Sequence, residues 1–166
     1  GFLGWAGHDP AAWARLTQDA QSRRRAGLAR LGALRGYDAN PNAVRVALAN
    51  LERAGLAGRI HFERRDLADC HPGRAEDRGL VVVNPPYGER LGNEREVREI
   101  AQALASLYQR ESTWSLFILS GREDFQRLFS ARADRNRKLY NGNIRCWYFQ
   151  YFGPLPGRPV VDPARG

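Results

Sequence analysis

Apolar positions recur along the chain at two periods, one helical and one extended, and punctuation residues separate them. Residues 1–9, GFLGWAGHD, read as an irregular packed segment. Asp9-Pro10 opens a helix, because Asp caps helix N-termini and Pro suits the first helical position. That helix runs to about Leu28, with Trp13, Leu16 and Ala20 on one face. Leu31 to Tyr37 is a short apolar run ending at Asp38. Asn40-Pro41 starts a second helix, with Val44, Ala47, Leu48 and Leu51 at helical spacing and Gly55 closing it. Arg59 to Glu63 predicts a strand before Asp66, and residues 70–79 a polar loop. Leu80 to Val83 is a β-branched run without alternation, which predicts a strand buried on both faces. It stops at Asn84-Pro85-Pro86-Tyr87-Gly88. A helix follows over Glu94 to Arg110, with Val97, Ile100, Ala101, Leu104 and Leu107 as its core face. Trp114 to Leu119 is a strand and Gly121 to Ser130 a short helix. Arg137 to Tyr140 and Ile144 to Phe152 flank Asn141-Gly142, a two-residue hairpin signal.

Strands alternating with helices imply an α/β fold, with a mostly parallel sheet covered on both faces and a C-terminal antiparallel hairpin. Ligands in such sheets bind beyond the carboxyl ends of the strands. Asp38, Asp66 and Asn84 all follow strands in this scheme. Residues 1–152 form the domain, and the Pro- and Gly-rich stretch 153–166 reads as a linker or tail.

Composition narrows the choice. The 166 residues carry 26 Lys and Arg against 18 Asp and Glu, a formal charge of +8 that favours a polyanionic partner. Arg23, Arg24 and Arg25 stand near a helix end. They read either as a dipole-matched, solvated helix end or as contacts to an RNA backbone. No apolar stretch approaches the roughly 20 residues of a membrane span. Cys70 and Cys146 read as free thiols in a reducing cytoplasm, and cannot form a tetrahedral zinc site alone. With no Met anywhere, the chain reads as trimmed or as a piece of something longer.

The most informative tetrapeptide is Asn84-Pro85-Pro86-Tyr87. An amino group on a base is a poor nucleophile, because its lone pair is delocalised into the ring. Two acceptors holding its two N–H groups favour a more pyramidal nitrogen. The Asn84 side-chain oxygen and the Pro85 carbonyl can be those acceptors, with proline fixing the carbonyl's direction. Tyr87 offers a face for the base to stack on. Such catalysis is mainly positioning, and needs no metal.

Asn84 to Tyr87 resembles motif IV of the amino-methyltransferases, a group with the Rossmann-like class I methyltransferase fold. That motif is shared by DNA, protein-glutamine and RNA enzymes. The extension Gly88-Glu89-Arg90-Leu91-Gly92, with Lys138-Leu139-Tyr140-Asn141-Gly142, Gly1-Phe2-Leu3-Gly4-Trp5 and His8-Asp9, is similar to bacterial 23S ribosomal RNA guanine-N2 methyltransferases. Among these it looks like the C-terminal part of the guanine-N2 domain of the large fused guanine-N2/guanine-N7 enzymes of Gammaproteobacteria. The resemblance implies S-adenosylmethionine as cofactor and 23S ribosomal RNA as partner. It implies Asn84, Pro85, Pro86 and Tyr87 as catalytic, and Asp38 at the cofactor ribose, Asp66 at its adenine and Asn84 beside it. Arg23, Arg24, Arg25, Arg90 and Lys138 are the candidate RNA contacts. Glu89 and Arg90 read as holding the catalytic loop, and His8 and His61 as structural. The alternatives are a DNA or protein-glutamine amino-methyltransferase, or a catalytically silent RNA-binding fragment. The family's first strand and its Gly-rich motif I should precede Asp38, and neither is found there. The missing strand is the central one, so a companion segment carrying motif I, or self-association, is expected.

Overall fold

The computed structural model describes residues 1–71, 78–85 and 94–154. It forms two compact units, Gly1–Leu34 and Arg35–Gly166. In the first, a single 3-10 turn over Phe2–Gly4 precedes helix α1, Pro10–Ala29. The Asp9 carboxylate accepts from the Ala11 and Ala12 N–H groups, and Pro10 takes the first helical position. The opening segment is not packed as its aromatics suggest. The Phe2 ring meets Trp13 at 4.9 Å, but no residue of α1 is buried and Leu16 is 63% exposed.

The second unit contains β1 (Arg35–Asp38), α2 (Pro41–Arg53), β2 (His61–Arg64), β3 (Leu80–Val83), α3 (Glu94–Arg110), β4 (Ser115–Ser120), α4 (Phe125–Phe129), β5 (Arg135–Asn141) and β6 (Ile144–Tyr151). Its strands divide into two sheets. β1 and β2 pair in parallel, and the other four run in the order β3-β4-β6-β5. β3 and β4 are parallel, whereas β4–β6 and β5–β6 are antiparallel. The break between sheets separates β1 from β3.

Gly55 ends α2 as its sequence position predicts. With φ at +64°, it lets the Leu56 N–H reach the Leu51 carbonyl and its own N–H reach Glu52, the paired bonds of a Schellman stop. The hairpin loop sits one residue later than expected. Asn141 still pairs with Ile144, so Gly142-Asn143 forms the turn. Only Gly142 has positive φ, +60°, which fits a turn with glycine first.

The core lies between the four-stranded sheet and α3 with α4. Val97, Ala101, Leu104 and Leu107 line the buried stripe of α3. Leu116 and Ile118 face them from β4, and Trp147, Phe149 and Tyr151 from β6. Phe125 and Phe129 of α4 close the cluster, with the Phe129 and Tyr151 rings 4.4 Å apart. Each such side chain contributes roughly 1.5–3 kcal/mol by burial. α4 is shorter than expected. Arg122 and Asp124 lie ahead of it, where the Arg122 guanidinium grips the Asp124 carboxylate at 2.8 and 2.9 Å and also pairs with Glu94. That clamp ties the first residue of α3 to the β4–α4 connection.

The expectation for Leu80 to Val83 is overturned. Leu80 is 51% and Val82 62% exposed. Side chains alternate between the faces of β3, and Val81 and Val83 turn towards the core whereas Leu80 and Val82 lie on the other face; among the described residues β3 pairs with β4 alone. The expected linker starts at Gly153, next to the last strand. Phe152 N–H donates to Asp134 at 2.7 Å and Gly153 N–H to Ser115 Oγ at 3.0 Å. The remainder of that expected linker, 155–166, lies outside the described residues.

Phe149, fully buried, should lose about 3–5 kcal/mol of stability on replacement by Ala. Leu16→Ala should stay within about 0.5 kcal/mol. Urea denaturation of both variants checks this, and equal losses would mean the core is misplaced. The Arg122 hydrogen bonds hold the Asp124 carboxyl below its ordinary pKa against a smaller upward push from burial. A depressed pKa gives stability that is present at neutral pH and lost as pH falls below about 4. Arg122→Ala should therefore show a shallower loss of thermal midpoint between neutral and acidic pH than the parent chain.

Candidate active site

The carboxyl ends of β1 and β2 hold two acids close together. Asp38, the last residue of β1, accepts from Asn40 N–H at 2.8 Å, and Asn40 in turn caps α2 by accepting from Asn42 N–H at 2.9 Å. The strand register sets Asp38 opposite Arg64. Arg65 N–H then donates to the Asp38 carbonyl at 3.1 Å, and Arg64 Nε to the Ala39 carbonyl at 3.2 Å. Asp66 follows directly and caps a 3-10 turn over Leu67–Asp69, accepting from Ala68 N–H at 3.2 Å. Each local bond uses Oδ1 of its carboxylate. Both acids are exposed. They serve as loop caps, and are also placed to accept hydrogen bonds from the hydroxyl or amino groups of a nucleoside.

Asn84 and Pro85 leave the carboxyl end of β3, Asn84 exposed and Pro85 half-buried. Asn84 therefore hangs from the four-stranded sheet, whereas Asp38 and Asp66 hang from the two-stranded one. Pro86, Tyr87, Glu89 and Arg90 lie outside the described residues. In the chain these residues fall between β3 and the Arg122-clamped start of α3.

Of the candidate RNA contacts, Arg23 pairs with Asp19 one turn away at 2.9 Å, as on an ordinary solvated helix. Arg24 and Arg25 are exposed on the same helix. Lys138 is exposed on β5, directly opposite Trp147. His8 packs against the Phe2 ring, and His61 Nε2 lies 3.2 Å from Glu63, so both histidines have neighbours that fit a structural role.

One feature is absent from the sequence expectations. An open cleft of about 580 Å³ is lined by Arg35, Tyr37, His61, Glu63, Arg65 and His71. In-register pairing of Arg35 with His61 and of Tyr37 with Glu63 gathers these alternate residues. Arg65 pairs with Glu63 and lies over the Tyr37 ring at 4.9 Å. Burial pushes the Glu63 carboxyl up, but hydrogen bonds from His61 and Arg65 prevail and hold it below its ordinary value. The alternation of charged residues on two short strands was the available signal. Among the described residues, no group of His, Cys, Asp and Glu can hold a metal ion, and no helix is long and apolar enough to cross a membrane. Both cysteines are free thiols.

Comparison with known proteins adds identity to this geometry. The chain is 53% identical to the ribosomal RNA large subunit methyltransferase K/L of Allochromatium vinosum, covering 88% of this chain and 20% of the relative. It is 42% identical to the protein of the same name from Methylococcus capsulatus, covering 98% of this chain and 23% of that one. The chain thus spans about a fifth of the length of these relatives. Among solved structures, SMU.472 complexed with SAH superposes with a TM-score of 0.80 at 28% identity, over 93% of this chain and 40% of the other. A predicted N6-adenine-specific DNA methylase from Listeria monocytogenes str. 4b F2365 gives 0.76 at 33% identity, over 90% and 37%. The sequence profile of the RMKL-like methyltransferase domain matches residues 4–150. With two acids and an Asn-Pro pair at the carboxyl ends of parallel strands, the chain belongs to the RMKL-like methyltransferase domain family.

Proposed function

We propose that this chain is the substrate-facing part of an S-adenosylmethionine-dependent methyltransferase that modifies the exocyclic N2 of a guanine in 23S ribosomal RNA, in the cytoplasm. The observation that carries the proposal is Asn84-Pro85 leaving the carboxyl end of β3, a parallel strand, with Asp38 and Asp66 at the carboxyl ends of β1 and β2. The names of the relatives support RNA over DNA or protein glutamine as substrate, and the formal charge of +8 supports a nucleic acid over protein glutamine.

S-adenosylmethionine, when bound, supplies a methyl group on a positively charged sulfur. Asp38 would hold that cofactor by accepting from its ribose hydroxyls and Asp66 by accepting from its adenine amino group. Asn84 Oδ1 and the Pro85 carbonyl would accept from the two N–H groups of the guanine amine and so free its lone pair for the methyl group. Tyr87 stacks on the guanine and Pro86 stiffens the loop. Transfer would exchange the methyl–sulfur bond for the new N–C bond, with the broken bond's electron pair leaving on sulfur as a neutral thioether, and the nitrogen would shed one proton to solvent. Positioning and preorganised acceptors supply the rate.

The fit to the cofactor is one-sided. The ribose and adenine ends have their acids, but before β1 the described residues offer no strand followed by a Gly-rich turn for the methionine end. We propose that a companion segment supplies both, its strand pairing with the open edges of β1 and β3. Those edges also favour a second reading of the chain on its own, a catalytically silent fragment that binds RNA.

Asn84→Ala, made in a protein that includes the Gly-rich turn, should lower methyl transfer by roughly 10²-fold or more while cofactor affinity stays near the parent's. Near-normal turnover would remove the catalytic assignment. Asp38→Ala should do the reverse in calorimetry, weakening cofactor binding by roughly tenfold, as for loss of a charged hydrogen-bond acceptor. Unchanged affinity would leave Asp38 as a loop cap alone.

A further inference from the structure

We propose that the exposed edge strand β5 binds single-stranded RNA along its open edge, with phosphates on Arg135, Arg137 and Lys138 and a base on Tyr140. The proposal rests on the reading of the protein as an RNA methyltransferase and adds a surface to it.

Every residue of β5 is exposed, and in the order β3-β4-β6-β5 its outer edge has no partner among the described residues. The stretch 135–153 holds four cations and no carboxylate. Arg135, Arg137 and Lys138 enter no ion pair among the described residues, although ion pairs engage many other arginines of the chain. Arg135 and Arg137 share one face of the strand, about 7 Å apart. Lys138 and Tyr140 share the other, directly opposite Trp147 and Arg145. Arg145 lies over the Trp147 ring at 5.1 Å. Trp147 itself is anchored in the core, so this end of the hairpin is a rigid support. Tyr140 beside it is 73% exposed.

A solvated edge strand is the competing explanation, since Lys or Arg on an edge blocks pairing with other chains. One or two charges suffice for that, and an exposed aromatic works against it. Four unopposed cations interleaved with a flat exposed ring are instead what a single strand needs: charge for the backbone and a stacking platform for a base. An acidic protein surface would satisfy the cations and leave Tyr140 without a role.

The test is fluorescence anisotropy of the chain with a fluorescein-labelled single-stranded RNA of about ten nucleotides, across a salt series. Replacing Arg135, Arg137 and Lys138 together by Gln should make the slope of log K against log salt shallower by about 2. Arg135→Lys with Arg137→Lys should keep it. Tyr140→Ala should weaken binding by about tenfold, the loss of one stacked base. These residues are exposed, and an unchanged near-ultraviolet circular dichroism spectrum certifies the fold of each variant. An unchanged slope in the triple Gln variant overturns the proposal. So does displacement of RNA by poly-glutamate as readily as by unlabelled RNA together with a neutral Tyr140→Ala, which marks a site for acidic polypeptides. Failure of the methyltransferase reading is separable. It would appear as undiminished turnover in Asn84→Ala, a variant whose RNA binding this hairpin leaves intact.

Discussion

Backbone pairing at two parallel strands is one-sided: among the described residues, β1 pairs with β2 alone and β3 with β4 alone. Much else in the second unit follows from that. With no ladder between the two sheets among the described residues, side chains connect them. Leu67, in the turn after β2, packs against the core under α3. The Arg110 guanidinium at the end of α3 donates to the Cys70 carbonyl, and the nearly buried Glu111 lies 3.7 Å from His71. Open strand edges expose backbone groups that another strand can satisfy. The apolar side chains of Leu80 and Val82 lie on the same open strand.

The site inherits this division. The acids proposed for a cofactor sit on one sheet, and the Asn-Pro pair proposed for the substrate sits on the other. Methyl transfer by positioning depends on sub-ångström placement of donor against acceptor. The arrangement can only be as rigid as the connection between the sheets. A strand paired to both β1 and β3 would fix the three residues through backbone hydrogen bonds, which side-chain contacts at Leu67 and Arg110 do less stiffly. The Arg122 clamp does the corresponding work at the start of α3, where two acids share one guanidinium.

The other edge of the large sheet has a different character. β6 is deeply buried through Cys146, Trp147, Phe149 and Tyr151, while β5 beside it is exposed throughout. The inner strand takes its stability from the aromatic core, so the outer one can carry charge and a free ring without weakening the fold. A cationic strand on a rigid backing suits recognition of a flexible polyanion, because little of the protein has to be ordered on binding.

What the sequence by itself determined was local. Asp9-Pro10, Asn40-Pro41 and Gly55 placed helix ends through capping and φ preferences that need only neighbouring residues. The period of α3 located its buried stripe, and Asn84 to Tyr87 stood out as a four-residue motif whose resemblance needs no neighbour distant in the chain. Tertiary structure decided what depends on neighbours distant in the chain. Leu80 to Val83 has the composition of a strand buried on both faces, but exposure depends on what packs on each face, and among the described residues only the face of Val81 and Val83 meets the core. Trp13 and Leu16 repeat at helical spacing, yet periodicity shows only that a face exists, and none of α1 is buried. The cleft of Arg35, His61 and Glu63 needed the β1–β2 register, and the clamp at Arg122 needed α3 and the β4–α4 connection to meet. Local rules fix backbone geometry, whereas burial and charge pairing are properties of surfaces brought together.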